Sequence, residues 1–124
     1  MTRVLIADGH DQFRDALRRI LERESDIDVV GQARDDSEVH ALAESLDADV
    51  VLVDAGLPTE GGIETLRQLR RRRPGTGTVL LSVVDHGVDE TGLADVEHLL
   101  KGVPAAEIVS AIRRSRPAAV GERV

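Results

Sequence analysis

The 124-residue chain has no cysteine, no tryptophan and no tyrosine, and Phe13 is its single phenylalanine. Without thiols it forms no disulfide, offers no thiolate nucleophile and builds no zinc finger. With one benzene ring in all, it has no stacking platform for unpaired bases and no rings to stack on a flavin. Positive charge is short as well. Sixteen Lys and Arg face 23 Asp and Glu, a formal net charge of −7. Phosphate contacts need clustered cations, so generic DNA binding by this domain is not expected. No apolar run reaches membrane-spanning length and the N-terminus lacks a secretory pattern, which points to a soluble, cytoplasmic chain without a membrane partner.

What the chain does have is aliphatic side chains, distributed in short runs. Asp49-Val50-Val51-Leu52-Val53-Asp54 is the most apolar of them, and Gly56 and Pro58 follow too soon for a helix. A run without alternation reads as a strand buried on both faces, as at the centre of a parallel sheet. Arg3 to Asp8 is a second such run, also ending in an acid. Ile27–Ala33 is shorter in apolar content and suits an edge strand; Thr78–Ser82 and His98–Lys101 complete five strands.

Helical spacing fills the gaps between them. Asp11 is the expected cap of a first helix with Phe13, Ala16, Leu17, Ile20 and Leu21 inward, and Arg14, Asp15, Arg18, Arg19 and Glu22 in solvent. Asp35 or Asp36 starts a second, with Val39, Leu42, Ala43 and Leu46 buried. A third packs Ile63, Leu66 and Leu69 and ends in Arg70-Arg71-Arg72-Arg73-Pro74, cations that complement the helix C-terminus before proline stops it. The last begins near Pro104 and packs Ile108, Val109 and Ile112. A helix also belongs between the fourth and fifth strands. Gly87 and Gly92 interrupt that stretch, so it should be short or distorted, and residues 84–95 should be the least ordered internal segment.

Strands alternating with helices through short loops give an α/β fold, a doubly wound five-stranded parallel sheet. The matching strand order is 2-1-3-4-5, that of flavodoxin-like folds. Residues 1–116 make one domain and 117–124 a linker or disordered tail. In this order Asp8 and Asp54 end adjacent strands at one edge, joined there by Ser82 and Lys101. Two carboxylates suit a hard dication such as Mg²⁺, and a hydroxyl with an ammonium suits an anion with three equatorial oxygens. Together they suit phosphoryl transfer to a carboxylate nucleophile, although each residue alone also reads as an ordinary strand end or surface charge. His10 and His40 show no metal-ligand spacing and are expected to have no role.

Three stretches carry a family resemblance: Val4-Leu5-Ile6-Ala7-Asp8-Gly9-His10, then Asp49 to Asp54 with Leu57-Pro58 and Gly62, and Leu99-Leu100-Lys101. From residue 3 to about 115 the chain resembles a response-regulator receiver domain of the CheY-like fold, of the NarL/FixJ subgroup attached to LuxR-type outputs. The resemblance implies a regulatory domain rather than an enzyme, with Asp54 accepting a phosphoryl group from a histidine kinase. It implies that Asp8, Asp54 and the Gly56 carbonyl hold Mg²⁺, and that Ser82 and Lys101 contact the phosphoryl oxygens. DNA would be reached only through an output domain absent from this chain. A homodimer is possible, with the first or last helix as its expected surface.

The departures from the family pattern are specific. Gly9 replaces a metal-ligating acid, which should weaken Mg²⁺ binding, and Val83 replaces a small residue, which narrows access to Asp54. His98 replaces the switch aromatic, either as an ordinary half-exposed histidine or as a pH-sensitive substitute. These changes keep a second reading open: a phosphorylation-independent pseudo-receiver used for dimerisation or small-ligand binding. A flavodoxin-like cofactor binder is the third, weakened by the lack of a phosphate-cradling loop after the first strand.

Overall fold

A computed structural model of the chain describes residues 1–84, 93 and 95–117. The elements run β1 (Thr2–Ala7), α1 (Asp11–Leu21), β2 (Ile27–Ala33), α2 (Asp36–Ser45), β3 (Val50–Asp54), α3 (Gly62–Arg72), β4 (Gly77–Ser82), β5 (Glu97–Leu100) and α4 (Ala105–Ser115). The five strands form one sheet in the order β2-β1-β3-β4-β5, and every pairing is parallel. The expected architecture is the observed one. The short or distorted helix expected between β4 and β5 falls on residues 85–92 and 94, outside the described residues, as does the tail from 118 onward.

Alternate residues of the central strands serve two separate cores. Val4, Ile6, Val50, Leu52, Val79 and Leu81 face α1 and α4, packing on Leu17, Leu21, Ile108 and Ile112. Leu5, Ala7, Val51, Val53 and Leu80 face the other way, toward Val39, Ala43, Leu66, Leu69 and Leu93. Burial on both faces is why the strands read as continuous apolar runs. Leu5, Leu52 and Leu80 are all within 1% of full burial, so truncating any of them to alanine costs about 2–5 kcal/mol.

Close approaches set where the helices lie. A Cβ on Gly62 would sit 1.8 Å from the Asp54 carbonyl oxygen, so only glycine lets α3 start hard against the end of β3. Its N–H donates to the Ala55 carbonyl there. Gly77 likewise admits the last turn of α4, with the Ser115 carbonyl 1.9 Å from its would-be Cβ.

Four local expectations change. Asp11 does not cap α1; the cap position is His10, with no side-chain cap bond, and Asp11 lies in the first turn. Arg14 is buried rather than solvated, while Ala16 is exposed. Pro104 caps α4 instead of opening its first turn. Lys101 stands one residue beyond β5. For α2, Asp35 is the cap and accepts from the Glu38 N–H at 3.0 Å.

Candidate functional site

Parallel strands deliver their last residues to one edge, so the ends of β1, β3, β4 and β5 carry Asp8, Asp54, Ser82 and Lys101 to the same place. Asp49, the acid that opens the central run, goes elsewhere. At the opposite edge its carboxylate accepts the Arg3 N–H at 2.8 Å, a structural bond that continues the ladder. Asp8 is 1% exposed and Asp54 4% exposed, which takes both well out of bulk water. Buried carboxylates need partners, and Lys101 is the first. Its Nζ lies 2.6 Å from Asp8 Oδ2 and 3.3 Å from Asp54 Oδ1, and over the Phe13 ring, 4.3 Å from the centroid.

The two oxygens of Asp54 differ. Oδ1 has the Lys101 ammonium and also the Gly56 N–H, at 3.2 Å. Oδ2 is buried and, among the described residues, accepts no hydrogen bond. Asp8 divides the same way. Oδ2 takes Lys101, whereas Oδ1 takes the His10 backbone N–H at 2.8 Å and lies 3.0 Å from His10 Nδ1. The same His10 nitrogen is 3.8 Å from Asp54 Oδ2. The pocket thus has an ammonium side and an imidazole side.

His10 corrects the expectation that it stands at no metal-ligand spacing. Ligand atoms of Asp8, His10 and Asp54 all lie within 4.8 Å of one another, a spacing open to a metal ion. His40 does stand apart, with Nε2 2.9 Å from Gln68 Oε1 on the far side of the sheet. Arg14 is the second residue missed. It reaches back from α1 to donate to the Asp8 carbonyl at 2.7 Å, to Asp11 at 2.5 Å and to Gln32 at 3.0 Å. Those bonds fix the backbone from which the Asp8 carboxylate projects.

Ser82 is at the edge, but its hydroxyl is committed. Oγ donates to the Val84 carbonyl at 2.6 Å and lies 2.9 Å from His98 Nε2 on β5. His98 is half-buried and sits in direct contact with the hydroxyl. Val83 points into solvent at 77% exposure. Gly9 is exposed, and a Cβ there would meet Pro58 Cδ at 2.9 Å and Cγ at 3.0 Å. The proline ring crowds the position where the family's second acid would project.

The sequence profile of the response regulator receiver domain matches residues 4–113. The chain belongs to that family. It is 39% identical over 118 residues to the transcriptional regulatory protein LiaR of Bacillus subtilis, covering 91% of this chain and 55% of that protein. With the response regulator GacA of Pseudomonas viridiflava it shares 37% over 116 residues, 91% of this chain and 54% of the relative. The nitrate/nitrite regulator NarL of Escherichia coli K12 is 35% identical over 125 residues, 98% of this chain and 56% of its own length. The chain therefore spans about half the length of the curated relatives it matches. Among solved structures, the signal receiver domain of NarL from Mycobacterium tuberculosis superposes with a TM-score of 0.82 at 28% identity, covering 91% of this chain and 94% of that one. This receiver is thus of the kind found in two-component systems, and Asp8 and Asp54 form its acidic pocket.

Proposed function

We propose that this receiver takes a phosphoryl group on Asp54 from a histidine kinase, and that the phosphorylated form regulates a transcriptional output. The observation that carries the reading is the division of labour at Asp54. Oδ1 faces an ammonium and a backbone N–H, the donors a phosphoryl group needs; Oδ2 faces the imidazole side and has no donor among the described residues. Asp54 Oδ1 attacks phosphorus, the P–N bond of the donor phosphohistidine breaks, and the leaving imidazole takes a proton. Lys101 and the Gly56 N–H then hold the phosphoryl oxygens.

The donor set fits Mg²⁺: two buried carboxylates, one with an oxygen that accepts no hydrogen bond among the described residues, beside the backbone of Gly56. Asp8, Asp54 and the Gly56 carbonyl would hold the ion, weakly for want of an acid at Gly9. When bound, it supplies positive charge against the transferring group. Ser82 must release the Val84 carbonyl before its hydroxyl can turn to a phosphoryl oxygen, and its contact with His98 Nε2 changes as it does so. That exchange moves the signal from the pocket to β5. A relative about twice as long and named a transcriptional regulatory protein supports an output outside these residues.

Incubation with acetyl phosphate and Mg²⁺, read by mass spectrometry, tests the reading. One phosphoryl group should appear, map to Asp54 and vanish in Asp54→Asn. An unlabelled wild type would favour the phosphorylation-independent module instead.

A further inference from the structure

We infer that His10 is a metal ligand in this receiver, and that its imidazole replaces the missing second acid and turns the site toward first-row transition dications. The inference rests on the metal reading of Asp8 and Asp54 and deepens it. Three observations lead to it. His10 Nδ1 lies 3.0 Å from Asp8 Oδ1 and 3.8 Å from Asp54 Oδ2. Dications with bonds of about 2.1 Å place neighbouring ligand atoms roughly 3.0 Å apart in an octahedron and 3.4 Å apart in a tetrahedron. The cluster needs only small side-chain shifts to enclose an ion.

The second observation concerns hydrogen bonding rather than spacing. Asp54 Oδ2 is buried, accepts no hydrogen bond among the described residues, and is the Asp54 oxygen on the His10 side. A buried carboxylate oxygen with nothing to accept is costly unless a cation serves it. Lys101 does not, because it occupies Asp8 Oδ2 and Asp54 Oδ1 on the other side. The third is Gly9. With no carboxylate there, and Pro58 crowding the space, no hard oxygen ligand comes from that position.

The ligand chemistry then decides which ion is favoured. Mg²⁺ prefers oxygen and gains little from a nitrogen, while imidazole suits Co²⁺, Ni²⁺ and Zn²⁺. Two carboxylates already neutralised in part by Lys101 attract Mg²⁺ weakly, and a neutral ring restores no charge. Ions that bind nitrogen recover that loss through the His10 bond. The His10 side chain is 71% exposed, so the ring closes on an ion without disturbing the core.

The test is calorimetric titration of the full chain with Mg²⁺ and with Co²⁺, in wild type, His10→Gln and Asp54→Asn. His10→Gln should lose about tenfold or more in Co²⁺ affinity and change less than about twofold for Mg²⁺. Ring-proton spectra supply a second readout: Co²⁺ should broaden the His10 resonances at concentrations that leave His40 sharp. Unchanged Co²⁺ affinity in His10→Gln, or equal losses for both ions, overturns the role of His10 and leaves the carboxylate site standing. No binding of either ion to wild type, or no loss in Asp54→Asn, overturns the underlying metal reading as well.

Discussion

Single residues of the pocket are held by atoms that no spacing rule foresees. Gly9 illustrates this. Restoring an acid by Gly9→Asp adds charge near the proposed dication site, but its Cβ would meet the Pro58 ring at 2.9 Å. The ring is part of the backbone, so the β3–α3 loop must yield before the new carboxylate reaches the pocket. Gly9→Asp alone should therefore raise Mg²⁺ affinity little, while Gly9→Asp combined with Pro58→Ala raises it about tenfold, a non-additive pair measurable by titration. Asp8 and Asp54 were legible from sequence because a buried strand ending in an acid is a strong local pattern. His10 and Arg14 were not. Periodicity sorts apolar positions and treats every charged residue on the far side of a helix as solvated. The spacing of Asp11 and Arg14, three apart, was the one available hint that the guanidinium is held in place.

At the scale of elements, Arg14 binds together the end of β1, the start of α1 and the edge strand β2. Arg14→Ala strands the Asp8 carbonyl without its donor and should cost about 1–3 kcal/mol in chemical denaturation. The same variant should lower phosphoryl labelling of Asp54, since Asp8 then lacks a fixed base. Between β4 and β5 the Ser82–His98 contact is the link to follow. A beryllofluoride mimic of the phosphoryl group should shift the His98 ring resonances in wild type and leave them in place in Ser82→Ala. Strand order and helix positions were legible because doubly buried strands and turn residues recur at regular intervals. Hydroxyl commitments were not, since the Val84 carbonyl that holds Ser82 is a backbone group common to every residue.

Across the whole molecule, α4 is tied to both ends of the sheet by exposed ion pairs. The hydrogen bonds from Arg113 hold Asp26 below its ordinary value of 3.8, and Arg114 does the same to Glu97, ordinarily 4.5. A carboxyl lowered in the folded state stabilises above its unfolded value and loses that contribution as pH falls through its folded one. The stability gap between wild type and Arg113→Gln, small at neutral pH because the pair is solvated, should therefore close as pH drops below about 4. Thermal midpoints across that range check it. The net charge of −7 and relatives about twice as long support the proposal that any DNA contact is made outside residues 1–117.

Phe13 has a practical consequence. Its ring lies against the ammonium that bridges both pocket carboxylates, in a chain with no tryptophan or tyrosine. The protein is consequently almost dark at the wavelengths used for intrinsic fluorescence. A single Phe13→Trp substitution would place the sole indole emitter beside Lys101, where, in the proposed function, withdrawal of the ammonium toward a phosphoryl group would change the field across the ring. Site occupancy could then be followed in real time, without a label, against an empty optical background.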